Sequence, residues 1–323
     1  MTTKPTLAFY WCASCGGCEE SVMDLAEDIL MVFDTCQFVF FPVALDYKKS
    51  DVEAMPDHSI TLSMINGAIR TTENEEMARL LRKKSKTVIA YGSCAHLGGI
   101  PSLANQFAKQ DILSYVYEQA DSVQNDEKIY PLEIIQDNGQ KVTLPTLYNQ
   151  VRCLNQVIKV DYYIPGCPPP PKLAQEALLA LLNDALPPPG AILAPDIALC
   201  EQCPRLDSKP LDLRLERYKR PHLHPIDSEI CLLAQGFVCL GPATRGGCEA
   251  RCIQGNMPCT GCFGPVSGVK DHGAKILSYL CSAASGTAVE DLEVVFAGIP
   301  DLVGIFYRYG LAASLLPRKI STK

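Results

Sequence analysis

The first half of this 323-residue chain predicts an α/β fold, a doubly wound parallel sheet, and the second half an irregular cysteine-rich region. Three observations lead there. Apolar runs of strand length alternate with segments of helical period. The runs QFVFFPVA and TVIAY are continuously apolar, as strands covered on both faces are. Past Leu186–Gly190 (LPPPG), the periodicity fails and Cys, Gly and Pro take over.

Taken in order, Thr6–Trp11 is a short apolar strand, followed by a cysteine loop. Glu19–Met31 places Val22, Leu25, Ala26, Ile29 and Leu30 on one helical face. Gln37–Ala44 and Ile60–Ile65 are strands, Glu73–Lys84 is a helix, and Thr87–Tyr91 is a strand running into GSCAHLGG. Pro101–Lys109 can start a helix with proline in its first turn. Leu132–Ile135 and Lys141–Leu144 flank Asp-Asn-Gly, a hairpin signal. Val160–Ile164 ends at PGCPPPP, and a helix over Lys172–Leu182 follows. Cys15, Cys18, Cys94 and Cys167 then fall just past the carboxyl ends of strands, the edge where open α/β sheets bind ligands.

A net charge of −7 argues against nucleic acid as a partner, because a phosphate backbone selects a basic face. The most apolar stretch, Val294–Phe306, is interrupted by Pro300 and Asp301, so direct membrane insertion is not expected. The beginning of the sequence has neither a long apolar core nor a twin-arginine pair, which predicts a cytoplasmic protein. In that reducing compartment, sixteen cysteines point to metal rather than cystine.

Three sets of four can be assembled: Cys15, Cys18, Cys94 and Cys167; Cys200, Cys203, Cys231 and Cys239; Cys248, Cys252, Cys259 and Cys262. Zinc and iron–sulfur clusters both accept four thiolates. A zinc ribbon explains the last set cheaply, but not three sets, nor one on the ligand edge of an α/β sheet. Glycines in SCGGC, SCAHLGG and TRGGC let the backbone approach sulfur, where amides can donate hydrogen bonds. The expectation is a flavodoxin-like doubly wound parallel sheet over 1–188, followed by an irregular cysteine-rich iron–sulfur domain over 189–323. Cys12, Cys36, Cys153 and Cys281 are left as small buried hydrophobes, with Cys12 an alternative to Cys15 in the first set.

The stretches WCASCGGCEES, YGSCAHLGGIP, IPGCPPPP, CEQCPR, CLLAQGFVCLGPATRGGCEARC and MPCTGC resemble, in order, the small (gamma) subunit of a [NiFe] hydrogenase. The resemblance is to the cytosolic methyl-viologen-reducing type associated with heterodisulfide reductase, and it covers Trp11 to about Pro265. It implies three [4Fe–4S] clusters: proximal on Cys15, Cys18, Cys94 and Cys167, medial on Cys248, Cys252, Cys259 and Cys262, distal on Cys200, Cys203, Cys231 and Cys239. The periplasmic branch has histidine where this chain has Cys200, and often proline at Cys252. The implied function is electron transfer from H2 oxidation, with the nickel–iron site in a separate large subunit. The implied acceptors are a [2Fe–2S] delta subunit and heterodisulfide reductase. An iron–sulfur subunit of another oxidoreductase, quinone-reductase-like, is the alternative, and a zinc-stabilised interaction module is a third reading.

Several other residues raise local expectations. Glu19 and Glu20 suit the first turn of a helix, with Glu19 also a candidate for a proton or interface role. His96 is expected as a loop histidine, His222 and His224 as surface residues, and Arg245 either beside the medial set or at the surface. The basic run Arg79–Lys86 is expected to be a solvated helix end. No GxGxxG occurs, so no flavin or nicotinamide site is expected.

Overall fold

The computed structural model describes residues 4–286 and 288–316. β1 (Thr6–Trp11) enters the cysteine loop, and α1 (Gly17–Met23) and α2 (Asp28–Thr35) return the chain to β2 (Gln37–Phe40). α3 (Lys49–Ala54), β3 (Ile60–Asn66), a short β4 (Ile69–Thr71), α4 (Thr72–Lys84), β5 (Ser85–Tyr91) and α5 (Gly92–Leu97) follow. A 3-10 turn over Ile100–Gln106 leads to α6 (Lys109–Ser114). The hairpin β6 (Ile134–Asp137) and β7 (Gln140–Thr143) precedes β8 (Leu147–Arg152), β9 (Tyr162–Ile164) and α7 (Pro171–Leu182).

The main sheet has the order β2-β1-β3-β5-β9 with every pair parallel, the flavodoxin-like arrangement. Its two faces are covered separately. One packs Ile60, Ile65, Val88 and Ala90 against Met77, Ala78 and Leu81 of α4. The other packs Phe9, Leu62, Ile89 and Tyr91 against Leu173, Ala177 and Leu178 of α7. Each such aliphatic side chain, taken fully out of water, contributes about 1.5–3 kcal/mol. α4 forms where the sequence is most explicit. Thr71 Oγ1 accepts from the Asn74 N–H at 3.2 Å, acids fill its first turn, and Arg82, Lys83 and Lys84 close it.

Four local expectations are corrected. The helix over Glu19–Met31 breaks into α1 and α2, with Ala26 at φ 52° between them. The break lets Val22, Leu25, Ile29 and Val32 all reach the apolar hollow over Leu7, Phe9 and Leu178, while Leu30 is left exposed. β2 stops at Phe40, because Pro42 offers no amide to a ladder. Residues 100–106 wind as a 3-10 turn instead of an α-helix. The basic run is only partly solvated: Arg82 pairs with Asp161, and Lys84 is buried against the Met55 carbonyl and Asp57. The hairpin forms as expected, with Asn138 and Gly139 both at positive φ. The antiparallel pair β4–β8 has no clear sequence signal.

After Leu186 the chain is held by short turns. α8 (Arg251–Gln254), α9 (His272–Ser282), α10 (Val289–Phe296) and α11 (Leu302–Phe306) surround a third apolar cluster centred on Leu199, Tyr218, Phe237, Ile276 and Leu280. Among the described residues, no helix is long and apolar enough to cross a membrane.

Candidate metal centres

Three segments, after β1, β5 and β9, bring the first set of thiols to the carboxyl edge of the sheet. Cys15 and Cys18 follow β1, Cys94 sits in α5 directly after β5, and Cys167 follows β9. The Cys18 thiol is pushed up first by burial, then by the charges of Cys94, Glu19, Cys167 and Cys15. Cys94, pushed up to about 12, responds likewise to burial, Cys167 and Cys15. The four are therefore electrostatic neighbours.

The backbone is cut to fit them. Gly92 has φ +84°, and a Cβ there would lie 2.5 Å from Cys18 Sγ; Gly99 has φ +59°, and its Cβ would lie 2.3 Å from Cys94 Sγ. Only glycine allows both the conformation and the approach. Cys12 is elsewhere: it is buried in the α4-facing core, its thiol 4.0 Å from the Asn74 carbonyl, and its shift comes from burial, Glu19 and Glu73.

The second half repeats this on turns. Cys200 lies within a 3-10 turn, Leu199–Gln202, that Cys203 caps, and an added Cβ on Gly241 would touch both Cys200 Sγ (3.5 Å) and Cys239 Sγ (3.7 Å). Cys200, at about 12, and Cys239, at about 11, are raised mainly by burial and also by the other thiols of their set. Cys248, Cys252, Cys259 and Cys262 line one small apolar pocket with Leu199, Ala250 and Phe263. Burial lifts Cys262 to about 12, followed by Cys248, Cys252 and Cys167.

The sets also meet end to end. Cys262 feels Cys167 of the first set, and Ser93 Oγ, one residue before Cys94, donates to the Cys262 carbonyl at 2.5 Å. At the other end, the Cys259 N–H donates to Cys239 Sγ at 3.4 Å. The order in space is thus 15/18/94/167, then 248/252/259/262, then 200/203/231/239, although the last set precedes the middle one in sequence.

Desolvated thiols in groups of four become stable thiolates only against a concentrated positive charge. Among the described residues, no group of three His, Cys, Asp or Glu side chains closes tightly enough on a single ion. Buried thiols grouped in fours, cradled by glycine and met by backbone amides, are a donor set that fits an iron–sulfur cluster. The Cys248 thiol, for example, is pulled back down by the amides of Ala250 and Arg251.

The remaining candidates divide. Glu19 and Glu20 both occupy the first turn of α1; Glu20 is exposed, whereas Glu19 is buried. Asn66 Nδ2 donates to Glu19 Oε1, Oε2 has no hydrogen-bond partner among the described residues, and burial raises the carboxyl. His96 is not a loop residue: it lies in α5, buried against Tyr163 at 4.8 Å between ring centroids, and burial lowers it to about 4. Arg245 is not a surface residue: it is 2% exposed. It donates to Pro195 O (3.2 Å), Pro265 O (3.2 Å) and Asp196 (2.8 Å). His222 and His224 are exposed, as expected. Cys36 and Cys153 are buried, but Cys281 is exposed at the outer end of α9, contrary to expectation.

Three contributors escaped the sequence reading. Arg205, buried just after Cys203, donates to Asp227 O (3.1 Å), Ile253 O (3.1 Å) and Asn256 Oδ1 (2.8 Å), tying α8 to the loop before Cys231. Asn66 and Ser93 are the others. An arginine directly after CxxCP was the one available signal.

Comparison with known proteins follows the same lines. The family model described as "NADH ubiquinone oxidoreductase, 20 Kd subunit" matches residues 15–181. The chain is 35% identical to the iron-sulfur subunit of the F420-non-reducing hydrogenase of Archaeoglobus profundus, covering 97% of this chain and 98% of that one. It is 36% identical to the corresponding subunit of the F420-non-reducing hydrogenase of Methanothermobacter thermautotrophicus, covering 99% and 98%. A reduced, active form of the Ni-Fe-Se hydrogenase from Desulfomicrobium baculatum superposes with a TM-score of 0.51 at 19% identity, over 82% of this chain and 96% of that one, a likeness of fold.

Proposed function

The chain belongs to the family of F420-non-reducing hydrogenase iron-sulfur subunits, and from that premise we propose that it is the electron-conducting small subunit of a [NiFe] hydrogenase. The nickel–iron site belongs to a separate large subunit, and this chain carries electrons away from it. Residues 1–188 hold a proximal [4Fe–4S] cluster on Cys15, Cys18, Cys94 and Cys167. Residues 189–323 hold a medial one on Cys248, Cys252, Cys259 and Cys262, and a distal one on Cys200, Cys203, Cys231 and Cys239. When bound, such clusters supply one-electron stations.

The observation that carries this reading is the end-to-end junction of the three sets, Ser93 beside Cys94 bonded to the Cys262 carbonyl and the Cys259 amide bonded to Cys239 Sγ. The protein supplies spacing and rigidity. Ser93 locks the proximal segment to the medial one, and Arg205 locks the medial to the distal. Buried side chains such as Phe263 and Leu199 exclude water between stations. The exposed Cys15 edge suits the large subunit, and the opposite end suits the acceptor. We assign that acceptor to a [2Fe–2S] delta subunit leading to heterodisulfide reductase, in the cytoplasm.

Anaerobic purification from the native host tests the proposal. A brown complex with about twelve irons per chain, a large nickel-containing partner and H2-dependent dye reduction is the expected result. Colourless protein holding zinc, or iron protein that associates only with a quinone-reducing complex, overturns it.

A further inference from the structure

The distal thiols are set against a fixed cation. After Cys203 the chain makes a tight turn, Leu206–Ser208, pinned at both ends to the distal set. The Leu206 N–H donates to Cys203 O at 3.1 Å, and Ser208 Oγ accepts from the Cys231 N–H at 2.7 Å. Lys209 caps this turn, its N–H bonded to Leu206 O at 3.0 Å, and its side chain is half-buried. Its Nζ lies over the ring of Tyr279, 5.1 Å from the centroid. Tyr279 stands on α9 and packs against the apolar cluster that also includes Cys203, Cys231 and Cys239. The ammonium is therefore held in place by a cation–π contact and by a turn with little freedom.

The turn sets this charge beside the distal thiols: Ser208, the residue before Lys209, holds the Cys231 amide, and Tyr279 beneath it packs in the cluster with Cys203, Cys231 and Cys239. Burial opposes the charge on Lys209, while Tyr279, Cys200 and Cys231 favour it, and Asp207 on the same turn is exposed.

We propose that Lys209 is the electrostatic tuning residue of the distal site: its ammonium, fixed over Tyr279, offsets the four thiolates and holds the site's reduction potential up. The proposal rests on the reading that Cys200, Cys203, Cys231 and Cys239 hold an iron–sulfur cluster. One electron arriving from the medial station makes the distal site one unit more negative, with no bond formed or broken. A cation half-shielded from water beside that site favours the reduced state. It compensates for the fourth thiolate at Cys200, whose added charge alone would make the last station hard to reduce.

The test is an EPR-monitored redox titration of the holoenzyme carrying Lys209→Met or Lys209→Arg. Met keeps the length of the stem without the charge; Arg keeps the charge. In Lys209→Met, one of the three midpoints is expected to fall by the equivalent of roughly tenfold in the reduction equilibrium, ~59 mV for one electron. The other two stay in place, and Lys209→Arg restores the first. Three unchanged midpoints in Lys209→Met overturn the proposal, and so does the same fall in Lys209→Arg. Loss of one cluster in both variants also overturns it, because the lysine is then a structural strut. Wild-type enzyme without three reducible clusters sinks the conduction reading itself, a result seen before any variant is made.

Discussion

Cys252→Pro separates ligand chemistry from fold. Cys252 is the second residue of the four-residue α8 and is exposed, whereas Cys259 of the same set is 5% exposed. Its amide lies in the first turn, where helical N–H groups have no intrahelical acceptor, so proline removes no helical hydrogen bond. The remaining backbone cost is the restriction of Arg251 before the proline, about 1 kcal/mol, too little to unfold a chain of this size. The chemical effect is larger. One of four thiolates disappears, and the corner it held has no protein ligand. Iron should fall from about twelve to about eleven per chain, with a new three-iron EPR signal in the oxidised protein and the other two clusters unchanged. Iron and acid-labile sulfide analysis with EPR of the holoenzyme provides the measurement. Unaltered iron with an unaltered spectrum refutes the assignment of Cys252. Loss of the whole medial cluster refutes the claim that Cys248, Cys259 and Cys262 suffice as an anchor.

Other substitutions test the remaining links. Gly99→Ala puts a methyl 2.3 Å from Cys94 Sγ at φ +59° and should abolish the proximal cluster spectroscopically, whereas Gly139→Ala, with nothing within 4 Å, should cost about 1 kcal/mol of backbone strain and no cluster. Arg245→Met leaves the Pro195 and Pro265 carbonyls without their donor and should lower stability by about 2–4 kcal/mol in denaturant titrations; a change under about 0.5 kcal/mol contradicts its role as a clasp. His272 is held by burial at about 4, below its unfolded value of about 6.5. Its neutral form contributes stability that is full above the unfolded pKa and is lost as pH falls through the folded one, so His272→Gln should flatten stability between about pH 6.5 and 4. Equal slopes in the two proteins would count against it.

Much of this was legible from residue order. Apolar runs mark β1 and β5 because strands covered on both faces need no polar side, and Asn138-Gly139 marks the hairpin because few other pairs accept positive φ twice. CxxC spacing, and glycine and proline beside sulfur, marked the thiols as candidates for metal; which of them hold it is the proposal made above. The break between α1 and α2 was not legible, because the periodic apolar face survives the break and hides it. Nor was the burial of His96 and Arg245, which depends on Tyr163 and on the loop at Pro265, far away in sequence.

Residue order by itself determined the sheet, the number of thiols and the chemistry they favour, since these depend on local period and donor type. The order of the three thiol sets in space, which the resemblance implied, is not given by spacing and is carried by tertiary contacts. The set at 200–239 comes before the set at 248–262 along the chain yet lies beyond it, because Ser93 draws Cys262 to the sheet edge while the Cys259 amide turns outward to Cys239. Long-range hydrogen bonds of that kind leave no trace in spacing. Lys209 is likewise an ordinary surface lysine by sequence, and becomes a counter-charge only when α9 places Tyr279 beneath it.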